Sequence, residues 1–274
     1  MIRTDYRNRR VVLPATLVVL HFLAFIVPAA VNGAAPPAFE FVPEDQHAFV
    51  RIAEDKVHAD CGTFEMFLES TEGFSMAAAG KSAVAAGVLL KSSSVRVWQD
   101  GKAVSASARG RATSVIVAEE GPQRIVLRAP FTLIASNGQT LADAQYDFVL
   151  YPEGEVFTTL RLFPRVKQRL AAAVDLRFAA DTGVRFERVY DLPLLAGTDR
   201  NGPAIGLYWH EGEQPQFGVI GEEMRCILSL LPGEEANEPV LVRTFVVSLS
   251  GNREELRRRC LAHGKIGGAG HHVA

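Results

Sequence analysis

The residues best suited to chemistry lie in one short segment that follows a predicted strand. Tyr208, Trp209, His210 and Glu211 are consecutive there. Aromatic rings with a polar edge can stack on sugar rings, and an imidazole beside a carboxylate can move protons. The segment also passes from strand to loop, where functional side chains concentrate. The sequence therefore predicts a ligand-binding site at the end of this strand.

Two acidic residues extend this candidate site. Glu222 and Glu223 follow the next short apolar run, so we expect them to return to the same end of the domain. The candidate catalytic residues are His210 and Glu222, and the candidate ligand-binding residues are Tyr208, Trp209, Glu211 and Glu223. The alternative interpretation is that the aromatic rings pack in the core and the charged side chains form a solvated turn.

Other motifs lack the spacing that a metal or a cofactor requires. Residues 75–82 (SMAAAGKS) resemble a phosphate-binding loop, but serine replaces its first glycine. His47 and His58 have no ligand partner at a useful sequence spacing, and the three cysteines are far apart with no CxxC pair. The sequence therefore predicts no metal and no cofactor, and the cysteines leave room for one disulfide.

Composition and charge indicate an ordinary globular protein. Of the 274 residues, 48% are hydrophobic and 22% are charged, and the formal net charge is -2. Proteins that bind nucleic acid usually carry a basic excess, which this chain lacks. We therefore expect no nucleic-acid partner. The aromatic rings of Tyr208 and Trp209 are the reason to expect carbohydrate as the ligand.

The N-terminal segment, residues 1–35, has the pattern of an export signal. Four arginines within the first ten residues precede an uncharged, mostly apolar stretch, and small residues follow at 33–35. The alternative is an uncleaved anchor, because about 20 apolar residues can span a bilayer. Both predict that the remaining chain is secreted or extracytoplasmic, with membrane contact only through this segment. Residues 36–46, which contain three prolines, predict a linker.

From residue 47 onward, short apolar runs alternate with turn residues. The clearest unit covers 146–163, where two runs of β-branched and aromatic residues flank Pro152-Glu153-Gly154 and predict a hairpin. Both faces of this hairpin carry large apolar side chains, so we expect it to be covered on both sides. The pattern predicts an all-β fold, a large and mostly antiparallel β sandwich that forms one domain over 47–264.

The one predicted helix covers residues 253–263 and precedes a disordered tail at 265–274. Asn252 can cap it, and Glu255 three residues later fits a capping box. Gly264 is expected to end the helix. Leu256 and Cys260 share one helix face, and a helix this short is marginal alone, so we expect that face to dock on the sandwich.

Three segments resemble the large β supersandwich proteins that are related to galactose mutarotases and to the β domains of polysaccharide lyases. They are residues 124–128 (RIVLR), 146–155 (YDFVLYPEGE) and 240–250 (VLVRTFVVSLS), the last followed by the short helix. The resemblance spans residues 120–264 and implies a supersandwich fold. Mutarotase-type members place histidines and a glutamate around the sugar, which implies such roles for His210 and for Glu222 or Glu223.

The leading functional hypothesis is an exported, carbohydrate-associated β sandwich that acts as a glycan-binding or accessory module. It predicts an aromatic-lined face that includes Trp209 or Trp98. The first alternative is a sugar- or polysaccharide-processing enzyme of lyase or mutarotase type, in which His210 acts as acid or base. The second alternative is a structural or assembly protein of the cell envelope.

Overall fold

The computed structural model describes residues 49–62, 64–70, 75–80, 88–180, 185–189, 194–198, 204–209, 215–220, 223–235, 238–250 and 252–266. They all belong to one compact unit, Pro43–Ala274. They form two antiparallel β-sheets and one α-helix, so the predicted all-β, mostly antiparallel fold class is confirmed. Three candidate site residues, His210, Glu211 and Glu222, lie outside the described residues, as do the predicted export segment and linker.

The strands are numbered in chain order. They are β1 (Phe49–Ile52), β2 (Lys56–Asp60), β3 (Phe64–Glu69), β4 (Ser75–Gly80), β5 (Val88–Gln99), β6 (Lys102–Val104), β7 (Ala106–Arg109), β8 (Ile116–Glu120), β9 (Ile125–Ala135), β10 (Thr140–Tyr151), β11 (Glu155–Pro164), β12 (Leu170–Ala180), β13 (Arg185–Val189), β14 (Leu194–Thr198), β15 (Ala204–Trp209), β16 (Gln216–Ile220), β17 (Glu223–Ser229), β18 (Leu231–Glu235) and β19 (Glu238–Ser250). The helix is α1 (Arg253–Ile266).

Each sheet combines local hairpins with pairings between distant strands. The first sheet has the order β1-β2-β3-β4-β5-β12-β17-β16, with β6 added beside β5. The second has the order β13-β14-β15-β19-β11-β10-β9-β7, with β18 beside β19 and β8 beside β9. Alternate side chains of both sheets point inward into one shared apolar core.

The central hairpin forms as the sequence predicts. Strands β10 and β11 pair from Ala142 opposite Pro164 to Tyr151 opposite Glu155, and Gly154 adopts a φ of 92° in the turn. A Cβ at Gly154 would lie only 2.7 Å from the carbonyl oxygen of Leu249, so the turn requires glycine. The inward face is fully buried, whereas the outward face is only half-buried. The expectation that both faces are covered is therefore met on one face only.

Two alanine-rich or apolar strands, β4 and β5, contribute the described residues between 77 and 90. Strand β5 then turns directly into β6 through Asp100 and Gly101, whose φ angles are 49° and 79°. Gln99 pairs with Lys102 across this two-residue turn, which is the hairpin that the Asp-Gly signal predicts.

Helix α1 docks on the outward face of the second sheet. Leu256 and Cys260 are buried against Tyr208 and Val246, as the shared helix face predicts. The Asn252 side chain accepts a hydrogen bond from the Glu255 N–H at 2.9 Å, which confirms the cap. The helix runs to Ile266 and so passes the glycine that was expected to end it.

The three cysteines, Cys61, Cys226 and Cys260, are buried, and they form no disulfide with one another. Burial raises the pKa of the Cys226 thiol to about 12. No helix in the part of the chain that the structure describes is both long and apolar enough to span a bilayer.

Candidate functional site

The structure separates the described members of the predicted site. Tyr208 and Trp209 are adjacent on β15 and therefore point to opposite faces of the second sheet. Trp209 lies in the core between the sheets, with 6% of its surface exposed, and Tyr208 packs under α1, with 3% exposed. Glu223 lies at the start of β17 in the first sheet, where it pairs with Lys91. Because His210, Glu211 and Glu222 are not described, the predicted site stays a prediction.

A cluster of arginines covers the outward side of the first sheet at its centre. Strands β5, β12 and β17 are neighbours there, and their inward residues, such as Val97, Leu176 and Cys226, belong to the core. The intervening residues therefore point outward. We call these outward side chains the arginine face: Lys91, Arg96, Trp98, Asp175, Arg177, Glu223 and Arg225.

Asp175 lies at the middle of the arginine face, and its side chain is 1% exposed. Arg225 donates to both carboxylate oxygens through Nε, at 2.8 and 3.0 Å, and Arg96 donates through Nε at 2.9 Å. The Arg225 and Arg96 side chains stay 34% and 40% exposed, so they cover the carboxylate and still reach the solvent. Burial raises the pKa of Asp175, and Arg96 and Arg177 oppose that shift.

Positive charge exceeds negative charge on this face. The four cations are Lys91, Arg96, Arg177 and Arg225, and the two carboxylates are Asp175 and Glu223. Arg177 and Arg225 are directly opposite each other on β12 and β17, and like charges in that register repel. Among the described residues, none accepts a hydrogen bond or forms an ion pair with the exposed Arg177 side chain. The face therefore carries a cation that is available to an anion.

An aromatic ring lies beside the arginines. The Trp98 side chain is half-buried. Trp98 is two residues from Arg96 on β5, so both side chains point outward. Their partners on β12 are Ala171 and Ala173, whose small side chains leave the ring and the guanidinium uncovered on that flank. The arrangement combines a flat apolar surface with planar, bidentate hydrogen-bond donors.

A second cluster lies near the edge of the same sheet. His58 and Asp60 are on β2 and Glu65 is on β3, and one potential ligand atom from each lies within 4.8 Å of the others. The His58 Nε2 and the Glu65 Oε2 are 3.0 Å apart. The sequence analysis predicts no ligand partner for His58, because Glu65 reaches it only through the antiparallel pairing of β2 and β3. The available signal was the His-x-Asp spacing, which places both side chains on one face of a strand.

Solved structures superpose on part of this chain, with little sequence identity. No protein-family model matches the sequence, and no curated protein is recognisably similar to it. Among solved structures, the heparan sulfate lyase HepC from Pedobacter heparinus superposes with a TM-score of 0.48 at 9% identity, over 75% of this chain and 37% of that chain. A structure of heparinase III gives a TM-score of 0.47 at 8% identity, over 77% of this chain and 38% of the other.

The chain thus spans less than two fifths of the length of these lyases. Similarity at this level is not evidence of a shared activity. The predicted resemblance to polysaccharide lyases is confirmed in part, for the general fold only. The predicted resemblance to galactose mutarotases stays a prediction.

Proposed function

We propose that this chain is an exported glycan-binding module whose arginine face binds acidic polysaccharide. The observation that carries the proposal is the cluster of Arg96, Arg177 and Arg225 around the buried Asp175. Guanidinium groups bind carboxylate and sulfate groups through paired hydrogen bonds, and an acidic polysaccharide presents such groups at regular intervals.

The shared carboxylate orients the arginines before a ligand arrives. Asp175 holds Arg96 from one neighbouring strand and Arg225 from the other, so the two side chains lose less rotamer freedom on binding. Arg177 lies two residues from Asp175 on β12, directly opposite Arg225, and adds a third guanidinium to the face. Pre-organisation of this kind improves affinity without new contacts.

Trp98 distinguishes a glycan from a small inorganic anion. Its ring offers the apolar surface on which a sugar ring can stack, next to the Arg96 guanidinium. The outward side of the first sheet is an extended surface, which suits a polymer that makes several weak contacts. Carbohydrate binding therefore explains why an aromatic ring and a group of arginines share one face.

The test is affinity electrophoresis and calorimetry with heparin and polygalacturonate as acidic probes and dextran as a neutral probe. We expect binding to the acidic probes, and we expect Arg177→Ala to weaken it by about 10–150-fold, the loss of one charge-assisted contact. Arg177 is the preferred position because its replacement leaves the contacts of Asp175 with Arg96 and Arg225 in place.

The matched control is Arg128→Ala, which removes one exposed arginine from the second sheet, where it pairs with Asp147. This variant should bind as the wild-type protein does. Trp98→Ala should weaken polysaccharide binding while leaving the charge unchanged. Equal losses for Arg177→Ala and Arg128→Ala would show that only net charge matters, and the arginine face would then be the wrong site.

A further inference from the structure

Small residues flank the Trp98 ring on both neighbouring strands of the first sheet. Its direct partner on β6 is Ala103, and its direct partner on β12 is Ala171. Both alanines are exposed, while the tryptophan is half-buried. Large cross-strand neighbours pack against an aromatic ring, whereas a methyl group covers little of it. The ring therefore presents flanks on which a flat ligand can stack.

A groove with a floor of alanine runs from this ring along β12. Ala171, Ala173 and Asp175 alternate with core residues and so lie on the outward side of the strand. Ala173 is only 2% exposed although it points away from the core, so the side chains beside it rise higher. Those neighbours are Arg96 on β5 and Ser229 on β17, each directly opposite Ala173. We call this feature the alanine groove, with Ala171 and Ala173 as its floor.

Open space also lies beside the arginines at the far end of the alanine groove. Arg225 is directly opposite Gly218 on β16. Gly218 is exposed, and a Cβ built on it would meet no atom within 4 Å. A ligand can therefore approach the Arg225 guanidinium over the glycine.

The alanine groove joins an apolar contact to a charged one at a fixed distance. Trp98 is opposite Ala171, and Arg225 is opposite Arg177, so the two contacts are separated by the step from residue 171 to residue 177 on β12. A strand rises about 3.3 Å per residue, which places the contacts about 20 Å apart. One sugar unit is too short to reach both contacts, whereas an oligosaccharide that lies along β12 can reach them together.

We propose that the alanine groove binds one segment of an acidic oligosaccharide lengthwise along β12, with a sugar ring on Trp98 and an acidic group at Arg177 and Arg225. This inference rests on the proposed function and adds the orientation and the minimum length of the ligand. Between the two ends, the Ser229 hydroxyl and the Arg96 guanidinium can form hydrogen bonds with sugar hydroxyls. Linked contacts strengthen binding, because the second contact forms within a complex that already exists.

The competing explanation is that the arginines bind an acidic group alone and that the Trp98 ring has a structural role. Both explanations predict binding of acidic polymers, and both predict a loss of affinity for Arg177→Ala. They differ in the effect of ligand length, because a site made only of arginines is filled by the shortest acidic ligand. Affinity measured as a function of length therefore decides between them.

The experiment measures the affinity of the protein for galacturonate and heparin oligosaccharides, from disaccharide to decasaccharide, by calorimetry. We expect affinity to rise with length and to level off once the ligand spans about 20 Å. Trp98→Ala should lower the affinity for the longest ligands by about 2–13-fold, the usual worth of an aromatic contact, and so weaken the dependence on length. Arg177→Ala should lower the affinity at every length.

A second variant makes the test independent of the loss of a large ring. Ala171→Leu adds bulk at an exposed position on the groove floor and should also weaken the dependence on length, with a circular dichroism spectrum that matches the wild-type protein. Ala118→Leu makes the same change at an exposed position of β8 in the second sheet and should leave binding unchanged.

Two results overturn the inference while the proposed function stands. One is an affinity for acidic oligosaccharides that does not depend on their length. The other is equal binding by the Ala171→Leu and Ala118→Leu variants at every length. If no acidic oligosaccharide binds at any length, the proposed function fails, and the inference fails with it.

Discussion

At the residue scale, three aromatic rings form a stack inside the core. The Tyr146 ring is centred 5.4 Å from that of Phe131 and 5.3 Å from that of Phe148, and each neighbour is nearly parallel to it. All three rings are buried. Burial also raises the pKa of Tyr146. The stack joins β9 to the central hairpin, so the stability of the second sheet depends on it.

Replacement of a ring in this stack is therefore expected to be costly. Phe148→Ala should lower the free energy of unfolding by about 3–5 kcal/mol, because it removes a fully buried ring and leaves a cavity. Chemical denaturation measures this change. Val149→Ala is the matched control on the half-buried face of the same strand and should cost much less. A loss below about 1 kcal/mol for Phe148→Ala would contradict its central position.

The predicted role of His210 belongs to the same scale and concerns the enzymatic alternative. If an acidic polysaccharide is turned over, His210→Gln should lower kcat/KM by about 10²–10⁴-fold, the usual contribution of a general acid or base. His271→Gln, outside the candidate site, should leave turnover unchanged. A polysaccharide that is cleaved equally well by the His210→Gln variant would show that this histidine has no catalytic role.

At the scale of elements, features that depend on neighbouring residues could be predicted from the sequence. Features that depend on the pairing of distant strands could not. The central hairpin and the capped helix follow from short signals, Pro-Glu-Gly and Asn252 with Glu255, that act within a few residues. The arginine face does not follow from any such short signal. Arg96 and Arg225 are 79 and 50 residues from Asp175 in sequence, and only the pairing of β5, β12 and β17 brings them together.

The pairing of distant strands also explains why Trp209 is buried and Trp98 is only half-buried. Each tryptophan lies on a strand next to polar residues, so sequence alone predicts an aromatic face without saying which ring forms it. The answer depends on which side of the strand the opposite sheet covers. Trp209 faces that sheet, whereas Trp98 faces outward with Arg96.

Helix α1 is attached through a network that acid should weaken. Hydrogen bonds from Arg258 and Arg259 lower the pKa of Glu255 from 4.5 to about 2. Arg259 also donates to the carbonyl oxygens of Glu153 and Leu249, which links the helix to the central hairpin. Because the folded pKa is depressed, the stabilisation is present above pH 4.5 and is lost as the pH falls towards 2.

Glu255→Gln should therefore be less stable than the wild-type protein at pH 7, and the difference should shrink between pH 4.5 and pH 2. Thermal unfolding monitored across this range measures it. Glu254→Gln is the matched control, since it changes the adjacent exposed carboxylate of the same helical turn. A constant difference at all pH values would mean that the Glu255 charge does not hold the helix in place.

At the scale of the whole molecule, the proposed export would determine which partners the chain meets. The small residues at 33–35 predict that the mature chain begins between residues 32 and 36. N-terminal sequencing of protein recovered from outside the cytoplasm measures this. Intact Met1 in a membrane fraction would instead identify the segment as an anchor, and the module would then act at the cell surface.

The molecule as a whole is weakly acidic, with a net charge of -2, whereas the arginine face carries an excess of positive charge. The arginine face should therefore attract acidic polysaccharide, although the net negative charge of the whole molecule slightly repels it. Electrostatic attraction of this kind acts over about 10 Å at 0.1 M salt and about 3 Å at 1 M. An increase in NaCl from 0.1 to 1 M should accordingly weaken heparin binding by about tenfold or more.

Two variants test whether this salt dependence arises from the arginine face. Arg177→Ala should show a shallower dependence than the wild-type protein, because it releases fewer ions on binding, whereas Trp98→Ala should weaken binding and keep the same slope. Calorimetry at four salt concentrations gives both slopes. If binding is unchanged at 1 M NaCl, stacking and neutral hydrogen bonds hold the glycan, and the site predicted from the sequence at residues 208–211 becomes the better candidate. A slope that falls with Arg177→Ala and not with Arg128→Ala ties the attraction to the outward side of β5, β12 and β17.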